Sequence, residues 1–92
     1  MNNVFLTGQL ICRDKEEVAI VVQHLPLHIE LTLAEEGCVS FEVRPTRRPG
    51  EWQVEEKFRD ADAFRAHQKR VTESEWGRVT AGMKRSYTVE GM

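Results

Sequence analysis

Polar and apolar residues alternate from Val4 to Cys12. Phe5, Thr7, Gln9 and Ile11 fall on one face of an extended chain, and Val4, Leu6, Gly8 and Leu10 on the other. This predicts a first strand, and because apolar side chains occur on both of its faces, both are expected to be covered. The period then changes. Val18, Val21, Val22, Leu25, Ile29 and Leu33 recur at helical spacing. Asp14 is placed to cap that helix, and Glu16 and Glu17 suit the positive end of its dipole. Pro26 falls inside the pattern and removes a backbone donor, which predicts a bend near residues 22–26. Gly37 in "AEEGC" is the expected stop.

Alternation resumes from Cys38 to Val43, with Val39, Phe41 and Val43 on one face. "RPTRRPG", with two prolines and a glycine, reads as a turn. From Glu51 to Phe58 the chain alternates again and groups Trp52, Val54, Glu56 and Phe58. Asp60 then caps a second helix running through about Val71, whose Phe64, His67, Gln68 and Val71 share a stripe. "TESE" fits a capping box that opens a short helix carrying Trp76 and Val79, with Gly82 as its end. Lys84 to Glu90 is a last short strand.

The order β-α-β-β-α-(α)-β predicts an α+β fold, a ferredoxin-like βαββαβ sandwich with its helices on one sheet face. In that topology the first two strands run parallel with the third between them. Cys12 and Cys38 then lie at opposite sheet ends, too far apart to bridge. The uncovered sheet face is expected to meet a second copy, giving a homodimer.

Length and charge narrow the partners. Ninety-two residues make one domain, 1–92, with a modest core. A pocket forms more easily between two copies than within one. Thirteen basic against 15 acidic residues leave a net charge of −2, well mixed along the chain, so neither nucleic acid nor an anionic membrane is an expected partner. The start "MNNVFLTGQLICR" has no basic leader, and no run approaches the roughly 18 apolar residues of a membrane span. Two cysteines without CxxC spacing give no zinc site or disulfide framework, and the expectation is a cytoplasmic protein with reduced thiols. No phosphate-binding glycine loop, GxSxG elbow, nucleotide fingerprint or haem-attachment pattern occurs.

Three stretches resemble the antibiotic biosynthesis monooxygenase family, small dimeric α/β-barrel proteins that include quinol monooxygenases. "HIELTLAEEGCVSFEV" resembles the family's end of helix one, its Glu-Pro-Gly-Cys turn and its second strand. Glu35, Gly37 and Cys38 fit, while Glu36 stands where proline is usual. "VEEKFRDADAFRAH" resembles a pattern of Glu, an aromatic two residues on, an Asp, an Ala and a His, filled here by Glu56, Phe58, Asp60, Ala63 and His67. "SEWGRVT" and "SYTVEG" fit the last helical turn and the closing strand. The usual segment after the histidine, with a proline and a phenylalanine, is replaced by "QKRVTESEW". The resemblance implies a dimeric α/β barrel and oxygenation of a small phenolic or quinol-type molecule with no added cofactor, the substrate itself supplying electrons to dioxygen. Relatives also include haem-degrading proteins, so a non-catalytic small-molecule binding dimer and a haem-binding relative are the alternatives.

The catalytic candidates are His67 and Glu56. A neutral imidazole can take a proton from a phenol near neutral pH. Equally, His67 can be a core histidine bonded to a backbone carbonyl or to Glu56. Glu56 shares a face with Val54 and Phe58, an expensive place for a carboxylate unless it is paired or wet. It either serves His67 as partner or base, or pairs with an arginine at the dimer seam. Phe58, Phe64 and Trp76 are candidate pocket walls, with core packing the plainer alternative. His28 is a pocket candidate because the resemblance puts a histidine there in some relatives. His24 and His28 lie four apart without an intervening glutamate, so no metal site is expected. Arg44, Arg47 and Arg48 mark an exposed hairpin tip.

Overall fold

A computed structural model describes residues 2–92. Its elements are β1 (Val4–Ile11), α1 (Lys15–Leu33), β2 (Cys38–Pro45), β3 (Glu51–Phe58), α2 (Ala61–Thr72), α3 (Glu75–Val79) and β4 (Lys84–Glu90). The strands form one sheet in the order β2-β3-β1-β4, every neighbour antiparallel. Thus β1 and β2 run parallel with β3 between them, the ferredoxin-like α+β arrangement. Both cysteines are free, one just past the end of β1 and the other at the start of β2.

The pleat sorts the side chains. Val4, Leu6 and Leu10 of β1 and Val54 and Phe58 of β3 are buried beneath Val21 and Leu25 of α1, Phe64 of α2 and Trp76 of α3. Caps hold the helix starts. The Glu17 amide donates to Asp14 Oδ1 at 2.9 Å, and the Ala63 amide donates to Asp60 Oδ1 at 2.8 Å.

The far face of the sheet departs from expectation. Phe5 is an exposed hydrophobic on it, 44% accessible. Around it stand polar pairs: Gln9 donates to Gln53 at 2.9 Å, Arg44 bridges Glu42 and Glu55, and the Lys57 ammonium lies 5.4 Å from the Phe5 ring centre. Apolar residues on alternate positions of β1 alone do not make that face oily, because β2, β3 and β4 present polar side chains there.

Helix α1 runs through Pro26 as one assigned helix. Three local readings are corrected. The helix ends at Leu33 with Ala34 as its cap, three residues before Gly37. Gly37 is needed for closeness instead: a Cβ there would stand 2.2 Å from the Cβ of Ala63. The short helix α3 is capped by Ser74, whose Oγ accepts from the Gly77 amide at 3.1 Å, while Thr72 still belongs to α2. Finally, the β2–β3 register shifts between Cys38 and Ser40, so Val39 is an extra residue, 53% exposed, and does not share a face with Phe41.

Candidate functional site

A cavity of about 160 Å³ opens between the sheet and the helices. The strands floor it with Leu6, Leu10, Phe41 and Val54, and α1, α2 and α3 close it with His28, His67 and Trp76. Alternation in β3 puts Glu56 into this layer. In the sheet Glu56 sits between Leu6 of β1 and Phe41 of β2. It is 9% exposed, and its Oε1 has no hydrogen-bond partner. Burial, with a smaller push from the charge of Glu35, raises its pKa to about 7. A carboxyl there is protonated in a sizeable fraction near neutrality, so it can donate as well as accept.

His67 is held by the inward stripe of α2 and is 3% exposed. Its ring leans on Phe58, centres 4.7 Å apart. Nδ1 lies 2.9 Å from Glu35 Oε1, while Nε2 stands 3.6 Å from Glu56 Oε1, too far for a hydrogen bond. The direct partner of His67 is therefore Glu35, in the turn before β2, and not Glu56 as the strand pattern suggested. Burial lowers the pKa of His67, and the bond from Glu35 works against that fall.

His28, on the inner face of α1, stacks flat on Trp76 with ring centres 4.7 Å apart and 8° between planes. Its ring stands nearly perpendicular to that of Phe41, with centres 5.3 Å apart. Its Nδ1 has no partner, and burial lowers its pKa to about 3, so the ring is uncharged at neutral pH.

The structure thus brings His67, Glu56, Trp76 and His28 around one void. It does not bring Phe58 or Phe64 there. Phe58 is fully buried beside Phe64, centres 5.7 Å apart; Phe58 packs against the ring of His67, but neither phenylalanine lines the cavity itself. They support the site from beneath, because their part of the layer is filled.

Sequence reasoning missed four residues. Phe41 lines the cavity, as do Arg85 and Tyr87 of β4. Alternation within "KRSYTVE" puts Arg85 and Tyr87 on one face, and that was the available signal. Arg85 is tied to the turn after α3, donating to the Thr80 carbonyl at 2.8 Å and to Thr80 Oγ1 at 2.7 Å. It brings a cation to the cavity edge. Burial raises the pKa of Tyr87 to about 12. Glu35 is the fourth, 32 residues from the histidine it contacts.

Among the described residues, no three His, Cys, Asp or Glu side chains converge as a metal site, and no helix is long and apolar enough to cross a membrane. Of the two histidines of α1, His28 is buried and His24 is half-buried.

Against known proteins, residues 13–76 match the model of the antibiotic biosynthesis monooxygenase family, well over half of the chain. The chain belongs to that family. No curated protein matches its sequence. Among solved structures it is similar to a conserved protein of unknown function from Bacteroides thetaiotaomicron, described as a possible oxidoreductase. They share 14% identity over 98% of this chain and 97% of that one, with a TM-score of 0.80. A protein from Nitrosomonas europaea, provisionally named an antibiotic biosynthesis monooxygenase, is 14% identical over 98% of this chain and 89% of that one, at a TM-score of 0.78. A conserved protein from Methanosarcina mazei gives 17% identity over 99% and 93%, at 0.75. At such identities the likeness is one of fold.

Proposed function

We propose that this protein is a monooxygenase that oxidises a small phenolic or quinol-type molecule in the cavity beside His67 without added cofactor. One observation carries the reading: a buried imidazole and a buried, partnerless carboxyl face the same aromatic-walled void. His67 is the base that takes the phenolic proton, Glu56 is the acid, and Trp76 and His28 supply flat walls for an aromatic ring.

In this scheme the phenolate passes an electron to dioxygen and the two radicals combine, forming a carbon–oxygen bond at a ring carbon. The imidazolium hands the phenolic proton to the peroxide, and the freed base removes the hydrogen from that carbon as the O–O bond breaks. The departing hydroxide leaves as water with the proton that Glu56 gives, and the imidazolium then reprotonates Glu56. For a hydroquinone the balance is one quinol and one O₂ in, one hydroxyquinone and one water out. Excluding bulk water protects the intermediate and strengthens the anion's contacts with its surroundings.

The volume narrows the substrate. About 160 Å³ is close to the roughly 150 Å³ void that accepts benzene. It falls short of the ~300–1,000 Å³ of typical drug-sized sites. A single ring is favoured over a fused polycycle, and a haem macrocycle is disfavoured on size.

We also propose one domain over the whole chain, acting in the cytoplasm as a homodimer whose uncovered sheet faces meet. Phe5 is the exposed apolar centre of that face, and the polar pairs around it set the register between copies. Sedimentation or scattering mass measures this; a mass of one chain at high concentration rules the dimer out.

Oxygen uptake with a panel of one-ring and two-ring quinols tests the activity. The expected result is uptake with one-ring members that falls at least about 100-fold in His67→Ala, in line with the loss of a general base. No uptake above buffer, with no effect of His67→Ala, refutes it. A ligand-dependent rise in Tm without turnover selects a binding module instead.

A further inference from the structure

The strongest unassigned feature lies behind His67, on the side away from the cavity. We propose that Glu35, gripped by Arg70 and Thr32, is a positioning residue that fixes the tautomer of His67, keeping the proton on Nδ1 and the bare Nε2 toward Glu56 and the cavity.

A neutral imidazole carries one donor nitrogen and one acceptor nitrogen, and an ionised carboxylate only accepts. Both Glu35 oxygens face Nδ1, at 2.9 and 3.1 Å, so the hydrogen belongs on Nδ1. The lone pair is left on Nε2, which has no hydrogen-bond partner and stands 3.6 Å from Glu56 Oε1. The carboxylate is itself held. Arg70 Nε donates to Glu35 Oε2, and Arg70 Nη2 donates at 3.0 Å to Oγ1 of fully buried Thr32. The turn is fixed too, because the Glu35 amide donates to the Thr32 carbonyl at 3.0 Å and the Cys38 amide donates to the Glu35 carbonyl at 3.1 Å.

His67 therefore forms a wall between two spaces. The inner cavity lies on one side. On the other is an open surface groove of about 490 Å³ lined by Glu35, Arg59, Asp60 and Arg70 among others. The charged and titratable groups around the ring are Glu35 from the turn after α1, Arg70 from α2 itself, Glu56 from β3 and His28 from α1. Arg85 and Tyr87 of β4 stand among the cavity's lining residues. Of these, only Glu35 bonds to the ring. The same logic, a carboxylate behind a histidine selecting its reactive nitrogen, operates in hydrolase triads.

The tautomer assignment stands without the oxygenase reading; its catalytic consequence rests on that reading. The test is a ¹⁵N–¹H multiple-bond correlation spectrum of the full chain, labelled at histidine, at pH 7 to 8. In the wild type Nδ1 is expected as the protonated nitrogen and Nε2 as the bare one. In Glu35→Gln, Arg70 still needs an acceptor, so the amide oxygen faces Arg70 and the amide NH₂ faces Nδ1. The proton moves to Nε2 and the pattern inverts.

Titration by the same signals gives a second readout. Removing the negative charge in Glu35→Gln lowers the pKa of His67, while removing the neighbouring cation in Arg70→Met raises it and leaves the tautomer unchanged. The opposite shifts follow from the two charges and check that both side chains face the ring; the readout specific to positioning is the tautomer, which Glu35→Gln inverts and Arg70→Met does not. With a quinol that the wild type turns over, Glu35→Gln is expected to lose about 10²- to 10⁴-fold in kcat/KM, by analogy with tautomer inversion in a triad.

A protonated Nε2 in the wild type overturns the proposal, as does a folded Glu35→Gln with the wild-type pattern. If Glu35→Gln does not fold, the wild-type spectrum and the Arg70→Met titration still decide. An inverted tautomer in a chain that oxidises no quinol upholds the positioning role and refutes the oxygenase.

Discussion

Replacing Glu56 by glutamine tests whether the cavity is dry enough to do what is asked of it. The side chain keeps its shape and loses its ability to ionise. In the folded chain the carboxyl titrates at about 7 against an ordinary value of 4.5, chiefly because burial penalises the anion. The folded state therefore holds this proton more tightly than the unfolded state does. Wild-type stability contributed by this group is complete below pH 4.5 and is lost as pH rises through about 7. At pH 8, above both values, the displacement from 4.5 to about 7 is worth about 3 kcal/mol at 1.36 kcal/mol per pH unit.

Glutamine does not titrate. The stability of Glu56→Gln relative to wild type should therefore rise by about 3 kcal/mol between pH 4 and pH 8, most of it between pH 5 and 7. Urea unfolding of both chains across this range measures it. With a slope of about 1–3 kcal/mol per molar for a protein of this size, the difference between midpoints should change by about 1–3 M. Comparing the two chains cancels the titration of the other buried groups that they share. A difference that stays flat with pH refutes the reasoning: Glu56 would then be hydrated when charged, and the acid role proposed for it would lose its basis.

Two more perturbations probe the same walls. His28 titrates at about 3 against an ordinary 6.5, so the neutral ring contributes stability that is present above pH 6.5 and lost as pH falls toward 3, up to about 5 kcal/mol. His28→Phe should remove that acid sensitivity in an acid-unfolding series, and an unchanged acid limb would contradict the burial argument. Trp76, 8% exposed and stacked on His28, should cost about 3–5 kcal/mol as Trp76→Ala by urea unfolding, with the void enlarged enough to admit two-ring quinols. A loss below about 1 kcal/mol would mean that the indole is not part of the closed wall.

The elements that the sequence marks locally are the ones it reveals well. Alternation in "EWQVEEKF" put Glu56 on the inner face, and the aspartate before "ADAF" located the start of α2. The stripe of α2 turned His67 inward. What depends on distant approach was hidden. Glu35 reaches His67 only because the turn after α1 is laid against α2, and no periodicity connects residues 32 apart. The bulge at Val39 adds one residue to β2 without any glycine or proline to announce it. Phe58 and Phe64 shared faces with the candidates but do not line the cavity, because a face pattern gives direction and says nothing about which part of the layer is left empty.

The approach of Gly37 to Ala63 ties two distant stretches of chain into one mechanical unit. Hydrogen is all that Gly37 offers and a methyl is all that Ala63 offers, and the Arg59 amide pins the strand start by donating to the Gly37 carbonyl at 2.9 Å. Gly37 can take a methyl only if Ala63 gives up its own, so Gly37→Ala and Ala63→Gly should be strongly non-additive. The spacing between Glu35 and the imidazole it grips is thus inherited from a seam of minimal side chains two residues along the turn and one helical turn back along α2.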